Sequence, residues 1–204
     1  MSVVRWALEM PREILHEYRD PLDLVWLATA ARLGMRVERS DEVYASWDGR
    51  GTLTLSAAAH FDPDDSLAQL VLHEICHALC EGPEKWTSPD WGMENQNDTD
   101  WLCEHACQRL QAALADTRGL RSFFATTTDY RAYYDLLPAD PLGLIGPDDD
   151  PAIACARAGW KRAAEAPWAG ALGAALDATA AIVRATRPFV EASSVFSPLK
   201  AGPR

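Results

Sequence analysis

A long apolar stretch with helical period covers residues 67–80, which read LAQLVLHEICHALC. Apolar side chains occupy nearly every face of this segment, a pattern typical of a helix buried inside a domain. Residues 63–66 (PDDS) precede it with helix-start signals, and Gly82 follows it as a stop. The pattern therefore predicts a central, buried helix.

Upstream of this helix the hydrophobic period changes. Residues 11–33 carry apolar positions at helical spacing, and Gly34 is typical of a helix end. Three segments between residues 35 and 56 alternate or are β-branched instead, reading MRVERS, EVYASW and TLTLS. We expect two or three short antiparallel strands here, the last ending at Ser56.

Downstream, residues 81–98 contain prolines, glycines and turn formers, and predict a loop of a length that is often functional. A helix capped by Asp98 or Thr99 follows and ends near Gly119. The later predictions are a helix at 129–137, a Pro/Asp-rich break at 138–151, and Ala-rich helices at 153–165 and 168–186. Without an internal repeat, residues 1–190 are expected to form a single domain, and residues 191–204 a flexible tail.

The charge of the chain disfavours several partners. At 204 residues it carries a formal net charge of -11, which repels phosphate backbones and anionic membrane surfaces. The longest apolar stretch, residues 169–183, is too short and too polar to span a bilayer. The N-terminal residues have no apolar core of a signal peptide. We therefore expect a cytoplasmic protein without a nucleic-acid or membrane partner.

The central helix contains candidate chemistry in the sequence His73-Glu74-Ile75-Cys76-His77, an H-E-x-x-H pattern. Residues four apart lie on the same helix face, so both imidazoles can reach one cation, and neutral imidazole suits zinc. Glu74 is rotated by about 100° from His73, beside the metal rather than on it. There it can accept a proton from a zinc-bound water, whose pKa the metal lowers to about 7. The competing interpretation is a chance match, but two buried imidazoles without partners are costly.

A catalytic zinc site usually has three protein ligands, and the predicted helix at 99–116 is the nearest source of a third. Relative to its apolar face, Glu104 lies at the border, whereas His105 points outward. Glu104 is therefore preferred as the ligand. Asp100, one turn earlier, remains an alternative ligand or a hydrogen-bond partner of a ligating histidine.

Residues 73–79 (HEICHAL), followed by Glu104 in the sequence EHACQRLQ, resemble the zincin metallopeptidases that hold zinc with two His and one Glu. The order of helix, strand hairpin, H-E-x-x-H helix, long loop and Glu helix is most similar to the ImmA/IrrE-like regulatory metallopeptidases, over roughly residues 21–116. The resemblance implies a zincin-like α+β fold. In it a small antiparallel sheet packs on the two helices, with extra C-terminal helices.

The expected function is zinc-dependent hydrolysis of a peptide or protein substrate. His73, His77 and Glu104 would hold Zn²⁺, and Glu74 would act as general base and then as proton donor to the leaving amine. The substrate would lie along an exposed edge of the 51–56 strand. The alternative is a non-catalytic interaction module that responds to zinc or to redox conditions on the same scaffold.

The cysteines allow three interpretations. Cys76 and Cys80 form one i, i+4 pair, and Cys103 and Cys107 form another on the Glu helix. They are core thiols, a disulfide between the helices, or a second zinc site, and Cys80 is also a candidate fourth ligand of the first site. Cys155 is expected in the core.

Other residues are weaker candidates. His60 precedes the metal helix and could touch substrate, although loop histidines are more often inert. Tyr130, Tyr133 and Tyr134 could offer a phenol to an oxyanion, although aromatic residues at this spacing are more often core. Three tryptophans around the 81–98 loop either line a cleft or anchor the loop: Trp86, Trp91 and Trp101.

Overall fold

The computed structural model of the chain describes residues 13–94, 100–125, 130–143 and 151–197. The expected cap at Asp98 or Thr99, much of the 138–151 break and the end of the tail lie outside these ranges.

The described chain is α+β, with a small sheet and several helices. The helices are α1 (Pro21–Arg32), α2 (Leu67–Glu81), α3 (Trp101–Asp116), α4 (Arg131–Leu136), α5 (Pro151–Ala163) and α6 (Trp168–Thr186). The strands are β1 (Arg36–Ser40), β2 (Ala45–Trp47) and β3 (Thr52–Ser56). Short 3₁₀ turns follow at Ala58–His60, Pro83–Lys85, Pro89–Gly92 and Arg187–Phe189.

The sheet has the order β1-β3-β2 and is mixed. β2 pairs antiparallel with β3, as the turn between them predicts, but β1 pairs parallel with β3, from Arg36 opposite Thr52 to Ser40 opposite Ser56. The expectation of a purely antiparallel sheet was wrong. The expectation that the 51–56 strand offers an open edge to substrate was also wrong, because β3 is central and has a neighbour on each side.

The expected helix over residues 11–33 is correct only from Pro21. Asp20 caps α1 by accepting a hydrogen bond from the Leu22 backbone N–H at 2.8 Å, and the described residues before it, 13–20, are not helical. The C-terminal helices α5 and α6 match the Ala-rich segments to within two residues at each end.

The helix α2 is central, as predicted. The hydroxyl of Ser66 accepts a hydrogen bond from the Gln69 backbone N–H, and Gly82 ends the helix with a φ of 88°. Every residue of α2 except His73 and Glu81 is buried. Such complete burial requires neighbours on all sides, and α1, α3 and α5 supply them.

The helix α5 approaches α2 and α3 closely at Gly159. A Cβ there would lie 2.7 Å from a methyl carbon of Leu110 and 3.1 Å from Cys80 Sγ, so only glycine fits. Arg162 on the same helix donates to the backbone oxygens of Leu79 and Cys80. These oxygens lie in the last turn of α2, where carbonyl groups have no partner within the helix. The helix α6 packs on α1, where Trp26 Nε1 donates to Thr179 Oγ1 at 3.0 Å.

Among the described residues, no single helix is long and apolar enough to cross a membrane. The stretch Pro151–Ala163 with Trp168–Phe189 passes that length-and-composition test only as a pair bent by 93°.

Candidate metal centre

The facing sides of α2 and α3 bring together His73, His77 and Glu104. The two Nε2 atoms lie 3.0 Å apart. His73 Nε2 is 3.3 Å from one Glu104 carboxylate oxygen, and His77 Nε2 is 3.5 Å from the other. The three predicted ligands therefore converge on one point.

These separations fit a tetrahedral zinc ion. With bonds of about 2.0–2.1 Å from zinc to nitrogen or oxygen, two ligand atoms of a tetrahedron are about 3.3 Å apart. Each histidine nitrogen lies 3.3–3.5 Å from one of the two Glu104 oxygens, and the two nitrogens lie 3.0 Å apart, so each of these contacts is close to that edge. One ligand atom from each residue lies within 4.8 Å of the other two. Side chains of His73 and Glu104 are each 16% exposed and that of His77 is 2% exposed, so the cluster is largely buried and touches solvent at His73 and Glu104.

The tautomer of His73 is fixed by Gln111 on α3. Gln111 Nε2 donates to the Phe124 backbone oxygen at 2.7 Å, which turns Oε1 toward His73 Nδ1 at 3.1 Å. An amide oxygen can only accept, so Nδ1 carries the proton and Nε2 presents its lone pair to the cluster. A metal-ligating histidine requires this arrangement, and Gln111 is completely buried where it does so.

His77 has an unusual partner at its other ring nitrogen, the thiol of Cys107. The Sγ atom lies 3.1 Å from Nδ1 and is completely buried. The sulfur accepts from Nδ1–H, so Nε2 faces His73 and Glu104. Cys107 therefore orients a ligand and lies on the far side of the imidazole from the cluster.

The cluster is strongly polarised without a metal. Burial lowers the pKa of His77, but the charge and hydrogen bond of Glu104, helped by Glu74 and Glu81, outweigh it and raise the pKa to about 9. Burial raises the pKa of Glu104, but both histidines outweigh it and hold that pKa well below its usual range. Glu104 is thus a carboxylate anion next to two imidazoles. Its negative charge favours a cation at this position.

Glu74 is buried next to this cluster but is not one of its ligand atoms. Its Oε2 accepts a hydrogen bond from the indole Nε1 of Trp91 at 2.9 Å. The other oxygen has no hydrogen-bond partner among the described residues, so it can receive a proton. Glu74 directly follows His73 on α2, and its charge contributes to raising the pKa of His77.

Asp100 is not among the converging ligand atoms. It precedes α3, and its Oδ2 accepts from the Glu94 backbone N–H at 3.1 Å. The Nδ1 atoms of His73 and His77 contact Gln111 and Cys107, so these two side chains occupy the position that was expected of Asp100 as hydrogen-bond partner of a ligating histidine.

The remaining candidates lie elsewhere. His105 stacks on Tyr133 with ring centroids 3.6 Å apart, and Tyr130 lies at its edge. The phenol of Tyr134 is buried and donates to the Arg121 backbone oxygen. His60 is half exposed and lies 3.7 Å from Asp41.

All five cysteines are in the described ranges and are free thiols. The predicted contact between the two pairs is present, because the thiol of Cys80 interacts with those of Cys107 and Cys155. No second group of metal-ligand atoms gathers among the described residues, and none of the five cysteines is in a disulfide. Cys76, Cys80 and Cys107 are core thiols, whereas Cys103 and Cys155 are only partly buried. Cys107 also contacts His77.

Three residues of the site were not predicted as such: Gln111, Cys107 and Trp91. The sequence does hold a signal for Cys107 and Gln111. They lie three and seven residues after Glu104, respectively, and so share its helix face. Trp91 had no periodic signal, because it belongs to a loop.

No protein-family model, curated protein or solved structure matches this chain.

Proposed function

We propose that the chain is a zinc-dependent hydrolase that cleaves peptide bonds. The observation that carries the proposal is the convergence of two imidazole nitrogens and a carboxylate at tetrahedral spacing, with a second buried carboxylate beside them. His73, His77 and Glu104 hold the ion. A purely structural zinc site is usually closed by four protein ligands, whereas this group offers three, two of which are partly exposed.

Zinc held by these three residues would supply a Lewis acid that lowers the pKa of a bound water to about 7 and polarises a carbonyl. Glu74 takes the proton of the attacking water on its free oxygen and returns it to the nitrogen of the leaving amine. Trp91 keeps the other oxygen of Glu74 occupied throughout. Gln111 and Cys107 keep the Nδ1 protons of the two histidines in place.

The class of substrate follows from the resemblance of residues 73–79 and Glu104 to zincin peptidases. The substrate cannot pair with β3 as an added strand, because β3 already has a neighbour on each side. Of the edge strands, β2 is the one connected to the site, through Trp47 and Trp91, whose rings stack with centroids 4.7 Å apart. The backbone N–H of Trp47 already donates to Asp90 Oδ1, so β2 does not offer this donor to a peptide.

The test is a peptide-library digestion with zinc-loaded protein, in which cleaved peptides are identified by mass spectrometry. Wild type should cleave peptides that Glu74→Gln leaves intact, while both proteins carry close to one equivalent of zinc. A library left uncut by wild type at one equivalent of zinc would refute the hydrolase. A wild type that carries no zinc would refute the metal centre itself.

A second candidate function is favoured by the contact between Cys107 and His77. A thiol in contact with a metal ligand would couple the state of the sulfur to zinc affinity in a non-catalytic module. Cys107 is completely buried and burial raises its pKa well above the usual range, so an oxidant reaches this thiol only when the packing around it opens. This module would hold zinc, cleave nothing, and lose zinc on treatment with hydrogen peroxide in wild type but not in Cys107→Ser.

A further inference from the structure

The segment that carries Trp91 has an unfavourable backbone. Asp90 has φ 44° and ψ 39°, and Trp91 has φ 57° and ψ 18°, so two consecutive residues with a Cβ are left-handed. Side chains other than glycine rarely adopt this region. Such conformations persist only where the surroundings impose them, and they concentrate at functional sites.

The surroundings that impose it are contacts with β2. Asp90 Oδ1 accepts from the hydroxyl of Ser46 at 2.9 Å and from the backbone N–H of Trp47 at 3.0 Å. The ring of Trp47 lies parallel to that of Trp91, at an interplanar angle of 3°. Trp47 Nε1 in turn donates to the backbone oxygen of Trp86 at 2.8 Å. The segment is thus fixed to the sheet by hydrogen bonds on one side and by a ring stack on the other.

What this anchoring places is the indole N–H of Trp91 on Glu74. The distance from Nε1 to Oε2 is 2.9 Å, and the two side chains are 1% and 6% exposed. Among the described residues, Trp91 is the one hydrogen-bond partner of the Glu74 carboxylate. Burying an aromatic ring requires no N–H, and a phenylalanine would serve for that purpose alone.

We propose that Trp91 is a positioning residue for Glu74: its indole N–H holds Oε2 and thereby turns the free oxygen to the reacting water. The inference rests on the proposed function, since position matters only if Glu74 moves a proton. A glutamate side chain has three rotatable bonds, and small displacements of a proton acceptor cost much of its effect on rate. A rigid ring that is stacked and anchored removes that freedom before substrate arrives.

The first measurement needs no turnover. In ¹⁵N-labelled, zinc-loaded full chain, the Trp91 indole signal is assigned by its loss in Trp91→Phe. The chain has eight tryptophans, and Glu74→Gln should shift the Trp91 indole signal more than the indole signal of any other tryptophan. An unmoved signal would show that the contact does not exist in solution, and would overturn the proposal.

The second measurement is kcat and KM on a peptide that wild type cleaves. Trp91→Phe should lower kcat about tenfold with KM within about twofold, the signature of an interaction needed in the transition state. Replacing Trp91 by 3-benzothienylalanine, which has the shape of tryptophan but no N–H, should do the same. This replacement keeps the test valid if Trp91→Phe fails to fold.

The matched control is Trp26→Phe, which loses a buried indole hydrogen bond to Thr179 on α6 without touching Glu74. Its kcat should stay within about twofold of wild type. An unchanged kcat in the benzothienyl protein, or a rise in KM alone, would overturn the positioning role. A wild type that cleaves nothing, although Glu74→Gln moves the Trp91 signal, would instead refute the proposed function. The contact would then be structural, and the positioning role would fall with that function.

Discussion

Replacing Gln111 with leucine should weaken zinc binding although Gln111 would not touch the ion. The amide is completely buried and holds two groups, the His73 Nδ1–H at 3.1 Å and the Phe124 backbone oxygen at 2.7 Å. Leucine has a similar size and satisfies neither. Each group left unpaired costs about 1–3 kcal/mol, so we expect a loss of a few kcal/mol in the free energy of unfolding.

The effect on zinc follows from the tautomer. Without Gln111 the His73 ring loses its fixed orientation and the reason for carrying its proton on Nδ1. Removing such partners typically lowers metal affinity by about 10–100-fold. The measurement is competition with a chromophoric zinc chelator, paired with urea unfolding of the metal-free protein.

Gln108 offers a matched control on the same helix. It is also completely buried, and neither its amide nitrogen nor its oxygen has a hydrogen-bond partner in the described part of the chain. Gln108→Leu should therefore leave stability unchanged or raised. Its zinc affinity should be that of wild type. Equal zinc affinity in Gln111→Leu and Gln108→Leu would refute the role of Gln111.

Three further outcomes follow from the site. Glu104→Ala should lose zinc, whereas Glu74→Gln should keep it and lose turnover, as elemental analysis and a peptide assay would show; tight zinc binding by Glu104→Ala would contradict the ligand set. Cys107→Ala should lower zinc affinity about tenfold and Cys107→Ser should restore it, because a hydroxyl accepts the His77 Nδ1–H; equal affinities by chelator competition would remove Cys107 from the site. The pKa of His77 near 9 lies above its usual 6.5, so in metal-free protein its stabilising contribution is complete below pH 6.5 and is lost as pH rises through about 9. That contribution is on the order of 3 kcal/mol, and the stability difference between wild type and His77→Gln in urea with EDTA should shrink over this range; a constant difference would contradict it.

The convergence of His73, His77 and Glu104 could be predicted because it depends on helical geometry. The H-E-x-x-H spacing puts the two histidines on one face of α2, and the apolar pattern of α3 puts Glu104 at the border of its buried face. The ends of α2 were equally predictable, since Ser66 and Gly82 act on their own helix through local bonds.

The order of the sheet could not be predicted in the same way. Strands of 3–5 residues carry little pairing information, and nothing in β1 distinguishes a parallel neighbour from an antiparallel one. The left-handed conformation of Trp91 was also hidden, because it depends on Asp90 reaching β2, more than forty residues earlier in the chain. Gln111 was missed because an apolar pattern does not mark a buried polar residue, whereas a metal site needs polar residues on the buried face.

In the proposed metal site, α2 and α3 contribute different groups. Both nitrogen ligands come from α2, while α3 supplies the carboxylate and both groups that fix the nitrogens, Glu104, Cys107 and Gln111. On a helix with about 100° per residue, these three lie within about 60° of one another. Metal affinity therefore depends on how the two helices pack, and not only on the ligands.

A proton on His77 supplies the positive charge opposite Glu104 in metal-free protein. A pKa of about 9 means that His77 is charged at neutral pH, and its Nε2–H lies between His73 Nε2 at 3.0 Å and Glu104 at 3.5 Å. The proton thus compensates the charge of Glu104 at the position that a cation would take. Zinc binding would require the release of that proton. Because zinc would compete with this proton, zinc affinity should rise with pH up to about 9.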